Sequence, residues 1–430
     1  MNHSLDNEQD SNNEKAYQLP PLSLLSENTE VIEDKDDFEA KATAQKIQKI
    51  YKSFGIDVTI PDYYCGARVT RYEVCPGMGV RIKDITSLKY DLMLHLETTD
   101  LRMDMPKPGN PISVGIEIPN QKIRWVYLNS IIKSDEFQNN KFKLPIVIGK
   151  GFNDKIVIYD LAKMPHLIIG GNIGSGKSVV IESIIISLIF KTTPEDVKLI
   201  LIDPKVVELS RFIGIPNILL SAITPYVEKG IGALNWAVNE MKTRFNIFSQ
   251  NEVKDIDGYN EKMIRLMEEH KAGSNLECKS VEKMSHIVII IDELVDFMRE
   301  YPNKTEEYIV RLAQLARPCG IHLIITTQTP TSNVLTGLIK ANIPSRIALY
   351  VGVADDSRLI IDEPGAEKLM GLGDMLFLPS DYSSPVRIQG AFMPEDESEA
   401  VLDYIKSNNT CNVSEMEKIE SEVGSLSNQI

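Results

Sequence analysis

The feature that most limits what this chain can fold into is Gly171-Asn172-Ile173-Gly174-Ser175-Gly176-Lys177-Ser178, a string of the form G-x-x-x-x-G-K-S directly after the apolar run Leu167-Ile168-Ile169. When a strand delivers such a loop and a helix follows it, backbone N–H groups converge on phosphate, and the helix N-terminus favours the negative charge. The helix is predicted from Ser178 and Val179 through the apolar stretch to Phe190, bounded by Pro194. Glycine in the entry lets the backbone approach a triphosphate without a Cβ in the way. The string therefore reads as a nucleotide-binding loop inside an α/β sheet.

A second run strengthens that reading. His286-Ile-Val-Ile-Ile-Ile291 is unbroken apolar sequence, the mark of a central parallel strand covered on both faces, and it ends in Asp292-Glu293. Carboxylates at the carboxyl end of such a strand lie where open α/β sheets bind ligands. Asp292 is expected to hold Mg²⁺ through water, and Glu293 to polarise the attacking water. A third run, Ile321-His-Leu-Ile-Ile325, ends in Thr326-Thr327-Gln328, which offers Gln328 as a γ-phosphate sensor. A GTPase would carry N-K-x-D, but the nearest string is Asn303-Lys304-Thr305-Glu306; the L-S-G-G-Q string of transporter ATPases is absent. ATP with Mg²⁺ is the expected cofactor.

The 430 residues allow two or more domains, and no apolar stretch approaches the eighteen or so residues that span a bilayer. Met1-Asn-His-Ser-Leu-Asp-Asn-Glu has neither a basic region nor an apolar core, so no signal peptide is expected. Five widely spaced cysteines match no zinc spacing and suit a reducing, cytoplasmic compartment. The net charge of −15 argues at first against a nucleic-acid partner. Its acid is concentrated in the first and last forty residues, however, so the body between them is near neutral and a basic pore lining remains available. Both acidic ends read as solvated tails.

Along the chain, 1–37 is expected to be a disordered acidic segment carrying an apolar anchor at 17–25. Residues 38–145 read as an α+β domain: helical spacing through Ala40, Ala44, Ile47, Ile50 and Tyr51, then β-rich runs 67–74 and 114–118. Residues 146–395 alternate strand and helix patterns, which predicts a mostly parallel sheet. Residues 396–430 read as a short helix followed by a polar, acidic tail.

With these residues in view, the chain resembles the motor portion of the FtsK/SpoIIIE family of double-stranded DNA translocases. The resemblance rests on Pro165–Ser178, Leu201-Ile-Asp-Pro-Lys-Val-Val-Glu-Leu-Ser210, Trp236–Met241, Gly258-Tyr-Asn260, Ile291-Asp-Glu-Leu294, Arg311–Arg317, Thr336–Arg346, Asp356-Ser-Arg358 and Gly365–Phe377. It implies a homohexameric ring around double-stranded DNA, built from a small α domain and a RecA-like P-loop β domain. By position it implies phosphate and Mg²⁺ roles for Lys177 and Ser178, the acidic pair Asp292 and Glu293, and the sensor Gln328. It also implies an arginine finger at Arg317 reaching a neighbour's ATP, for which a guanidinium's fork of donors is suited.

Lys340, Arg346 and Arg358 fall in or near segments that line the family's pore; which of them touch DNA is left open, and Arg346 is equally readable as structural. Thr329 and Ala354 stand where basic or polar residues are usual, which weakens the expected DNA contact. Asn172 and Ile173 replace the usual loop pair. No membrane spans and no C-terminal winged-helix domain are read, so direct membrane insertion is not expected. The implied activity is an ATP-driven double-stranded DNA motor in chromosome segregation at division; a motor moving a plasmid or mobile element between cells, and a non-translocating ATP-gated scaffold, are the alternatives.

Overall fold

The computed structural model describes residues 17–27, 34–104, 113–271 and 282–428. The expected disorder of residues 1–16 lies outside them.

The central strands carry apolar residues on both faces through their middles because both faces of their sheet are covered. In His286–Ile291, Ile287, Ile289 and Ile291 join one buried cluster and Val288 and Ile290 the other. Ile200 and Ile202 alternate with Leu199 and Leu201 in the same way. This period of two, with apolar residues in both phases, is what a doubly covered strand requires. The ten-stranded sheet has the order Ile218–Ile223, Val197–Asp203, His286–Ile291, Ile321–Thr327, His166–Gly170, Ser345–Leu349, Asp374–Leu378, Val386–Gly390, Pro145–Lys150, Ile156–Asp160. The first six are parallel and the rest antiparallel. The expected α/β class with a mostly parallel sheet is the fold observed.

The helix Lys177–Lys191 covers one face, and Val227–Gln250 and Pro302–Leu315 cover the other. The preceding small domain packs the helix Asp34–Ser53, through Ala44, Ile47, Ile50 and Tyr51, on an antiparallel sheet containing Val69–Pro76 and Val114–Pro119. Residues 17–27 lie on the large domain: Leu25 is buried in its core, and Ser26 donates from its backbone N–H to Glu397 at 2.7 Å.

The C-terminal polar tail is a correction. Val413–Ser427 is a helix docked on Val227–Gln250. Ile419 and Val423, one turn apart, supply its buried stripe, and a Cβ on Gly232 would lie 2.9 Å from the Val423 carbonyl oxygen, so glycine sets the close approach. Its carboxylates are not merely solvated: Glu415 pairs with Lys198, Glu420 with Lys229 at 3.4 Å, and Glu422 accepts from the Trp236 indole N–H at 2.9 Å. Two buried positions in fifteen make too narrow a stripe to stand out from an acidic sequence.

The two domains meet at a buried charge cluster. Glu117 of the small domain is 1% exposed and bonds Arg387 of the large sheet at 2.6 Å, Arg102 at 3.0 Å and Arg71 at 3.2 Å. Burial alone would raise its pKa, but the charges of Arg102, Arg387 and Arg71 prevail and hold it at about 2, below its ordinary 4.5. A depressed carboxylate stabilises the folded state fully above its unfolded pKa and loses that contribution as pH falls through the folded value. Thermal unfolding followed against pH should therefore show stability falling from about pH 4.5 towards 2. Glu117→Gln should cost ~3–5 kcal/mol at neutral pH, because three guanidinium groups lose their shared anion in a buried place. The acid-induced fall should be smaller in that variant; an unchanged fall would assign it to other carboxylates.

Candidate nucleotide site

The phosphate loop joins the strand His166–Gly170 to the helix that starts at Lys177. Its base is fixed by neighbours on either side. The Gly171 N–H donates to the Thr327 carbonyl at 3.2 Å and the Asn172 N–H to the Tyr350 carbonyl at 2.9 Å. Ile173, at the tip, is 86% exposed and takes no part in the packing, while Gly174 and Gly176 turn the chain with φ of 77° and 103°. Gly176 is required twice over, since its Cβ would also come within 2.4 Å of the Gly373 nitrogen. Gly373 in turn donates to the Ser175 carbonyl at 2.8 Å.

That contact links the loop to the domain boundary. Asp374 accepts from the Met370 N–H at 2.8 Å and pairs with Arg387 at 2.6 Å, and the same guanidinium holds Glu117. Arg68 of the small domain donates to the carbonyls of Met370 and Gly371. The segment 370–374 is thus clamped between the phosphate loop and the small domain.

Lys177, Asp292 and Glu293 converge although they come from three different parts of the fold. Asp292 and Glu293 follow the strand His286–Ile291, which lies two places from the loop's own strand, with Ile321–Thr327 between them. The Lys177 Nζ lies 3.6 Å from Asp292 and 3.7 Å from Glu293. All three residues are 5% exposed or less. Neither Lys177 Nζ nor the second oxygen of Asp292, Oδ2, has a hydrogen-bond partner, and Ser175 Oγ is also buried without one. Buried polar atoms are normally satisfied, so a cation and an anion left open at one loop fit a ligand that carries both phosphate and metal. Ser178 and Asp292 would hold Mg²⁺, and the loop amides with Lys177 the phosphates. Val179 lies just inside the helix, half-buried.

Two residues that the sequence reading gave no role complete the arrangement. The Thr326 hydroxyl donates to Asp292 Oδ1 at 2.7 Å and accepts from the Glu293 N–H at 3.2 Å, which aims the Asp292 carboxylate and fixes the Glu293 backbone. Lys205 reaches Glu293 Oε2 at 2.9 Å from the loop after Val197–Asp203. The other oxygen, Glu293 Oε1, accepts from the Thr327 hydroxyl at 3.2 Å and the Gln328 N–H at 3.1 Å. Glu293 itself has φ 61°, a left-handed conformation that a glutamate adopts only when its surroundings impose it. Thr326 and Lys205 both stand directly after or within apolar strand runs, in T-T-Q and D-P-K strings, but their partners are distant in sequence and show only in three dimensions. A cavity of about 980 Å³ lies elsewhere, between the domains, lined by Arg71, Glu117, Phe152, Tyr159 and Arg387.

The remaining expected site residues lie apart from this group. Arg317 is exposed and precedes the strand Ile321–Thr327, whereas Gln328 follows it. Seven residues of strand span roughly 20 Å, so Arg317 stands at the opposite end of the sheet from its own phosphate loop. Lys340 and Arg346 meet at Asp362, and Lys340 Nζ also lies 3.4 Å from the Arg358 carbonyl. Burial opposes the charge of Asp362, but hydrogen bonds and attraction from Lys340 and Arg346 lower its pKa below the usual carboxylate range. Arg346 is buried and also donates to the carbonyls of Lys340, Ile343 and Ile360. Arg358 is half exposed and paired with Asp355 at 2.8 Å, one turn away.

Residues 127–332 match the FtsK/SpoIIIE family and residues 19–120 the FtsK alpha domain. The chain is 46% identical over 401 residues to the DNA translocase FtsK of Clostridium acetobutylicum, covering 93% of this chain and 51% of that protein. It is 41% identical over 391 residues to the DNA translocase SpoIIIE of Bacillus subtilis, covering 91% and 48%. The chain thus spans about half the length of the curated relatives it matches. Among solved structures, the pCW3 conjugation coupling protein TcpA in a monomer form with ATPγS shares the fold, with a TM-score of 0.55 at 20% identity over 84% of this chain and 99% of that one. The cytoplasmic domain of the Type VII secretion ATPase EccC of Thermomonospora curvata does so with a TM-score of 0.53 at 20% identity, over 65% and 34%.

Proposed function

The chain belongs to the FtsK/SpoIIIE family, and on that premise we propose that it is an ATP-hydrolysing motor that moves double-stranded DNA through a homohexameric ring. The observation that carries the reading is the buried convergence of Lys177, Asp292 and Glu293, in which the Lys177 ammonium and the second Asp292 oxygen have no hydrogen-bond partner. The names of its relatives, DNA translocases, supply the substrate. Bound ATP·Mg²⁺ would supply the transferable phosphoryl group and the metal charge. Lys177 then neutralises phosphate, Ser178 and Asp292 hold the metal, Glu293 accepts the proton of the attacking water, and Gln328 senses the γ-phosphate.

Arg317 completes a neighbouring subunit's site, a role favoured by its exposure and its distance from its own loop. Lys340 and Arg358 contact DNA phosphates, in competition with Asp362 and Asp355. Arg346 is better suited to fixing the chain around Asp362, since its guanidinium already has one carboxylate and three carbonyl partners. No helix among the described residues is long and apolar enough to cross a membrane, and action in the cytoplasm at chromosome segregation is the process proposed.

The test is ATPase rate and binding on duplexes of unrelated sequence across a salt series. Stimulation should be indifferent to sequence, because phosphate contacts carry none. Binding should weaken steeply with salt, and Lys340→Ala and Arg358→Ala should each reduce the slope of log affinity against log salt by ~1. An unchanged slope in both variants would remove these residues from the DNA surface. Absence of any DNA stimulation would contradict the proposed function.

A further inference from the structure

Glu293 is held in a way that does not suit a base ready to act. Both its oxygens are engaged, Oε1 by the Thr327 hydroxyl and the Gln328 N–H, Oε2 by the Lys205 ammonium at 2.9 Å. Lys205 is nearer to this carboxylate than Lys177, which stands 3.7 Å from the same oxygen. An oxygen that already accepts from an ammonium is less able to take a proton from water.

The position of Lys205 is set by a dedicated turn. Asp203, fully buried at the end of its strand, accepts from the backbone N–H groups of Lys205, Val206, Val207, Glu208 and Leu209, at 2.8 to 3.2 Å. Val206 takes φ 57°, which a β-branched residue adopts only under constraint. One carboxylate thus organises five successive amides and fixes the base of the Lys205 side chain. The side chain beyond it is 39% exposed, so the ammonium has room to leave Glu293 towards solvent or towards the loop. Its pKa is raised: burial lowers it, but the hydrogen bond and charge of Glu293 outweigh burial, so the group stays protonated.

We propose that Lys205 is a positioning residue that latches Glu293 in a resting arrangement and must release it before Glu293 can activate water. The proposal rests on Glu293 being the base. The latch keeps hydrolysis slow when the ring is empty.

Two measurements test it. The first is the DNA-free ATPase rate of Lys205→Met, which keeps the length of the side chain and removes its charge. The rate should rise about three- to tenfold, a small part of the ~10²–10⁴-fold that a positioned base contributes, with nucleotide affinity unchanged and the DNA-stimulated rate altered less. Lys205→Arg should restore the low DNA-free rate. Loss of turnover in Lys205→Met, as in a phosphate-binding lysine, would overturn the latch, and so would a rate equal to that of the unsubstituted protein. The second is thermal unfolding of Lys205→Met, Glu293→Gln and the double variant. Without nucleotide the shifts in Tm should be non-additive, and with ATPγS and Mg²⁺ they should add, because the pair has separated. Additive shifts in both states would overturn the latch. Glu293→Gln assayed alone separates the two claims: if it keeps normal turnover, the assignment of the base fails, whereas loss of turnover there with no effect of Lys205→Met refutes the latch alone.

Discussion

Glu293→Gln is expected to slow ATP turnover by ~10²–10⁴-fold while leaving nucleotide affinity near that of the unsubstituted protein. Lys177→Ala should remove turnover as completely and weaken binding as well. The difference follows from where each side chain acts. The Lys177 ammonium is buried among Asp292 and Glu293 without a hydrogen-bond partner, so it meets phosphate in the ground state and the transition state alike. The glutamate is needed only when water attacks, and glutamine keeps its shape and its capacity to accept from Thr327 and Gln328. The measurement is steady-state turnover beside binding of a fluorescent nucleotide. Near-normal turnover in Glu293→Gln would remove Glu293 from catalysis.

Arg317→Ala should likewise inactivate a homogeneous ring, by ~10³–10⁵-fold if the guanidinium acts as a finger, yet its activity should return on mixing with Lys177→Ala. A Lys177→Ala subunit keeps its finger and an Arg317→Ala subunit keeps its loop, so some interfaces in a mixed ring pair an intact loop with an intact neighbour. Random mixing in equal amounts makes roughly a quarter of the interfaces competent for in-trans catalysis. Activity against mixing ratio should then peak near the middle. The fold favours this outcome, because the strand Ile321–Thr327 separates Arg317 from the end of the sheet where its own Gln328 lies. A flat line near zero, with subunit exchange verified independently, would mean that Arg317 does not act across the interface.

The loop, the acidic pair and the parallel sheet were legible in the sequence because each is written in consecutive residues: a loop pattern after a strand, carboxylates after an apolar run. What was not legible depends on contacts between distant segments. Lys205 meets Glu293 across 88 positions, and Thr326 meets Asp292 across 34. The Val413–Ser427 helix was missed because only Ile419 and Val423 mark its buried side, and Gly232, which admits it, lies far away in the chain. Arg346 shows the converse. Its place in a family motif made it a candidate for DNA, but its partners lie within sixteen residues and use its donors locally.

Displacement of a third strand from a linear duplex tests the motor most directly. With ATP, the protein should strip a triplex-forming oligonucleotide from DNA that carries it well away from the entry site. Lys177→Ala should leave the triplex in place, as should ATPγS in place of ATP. DNA-stimulated hydrolysis with the triplex left intact would contradict translocation and favour an ATP-gated scaffold on DNA.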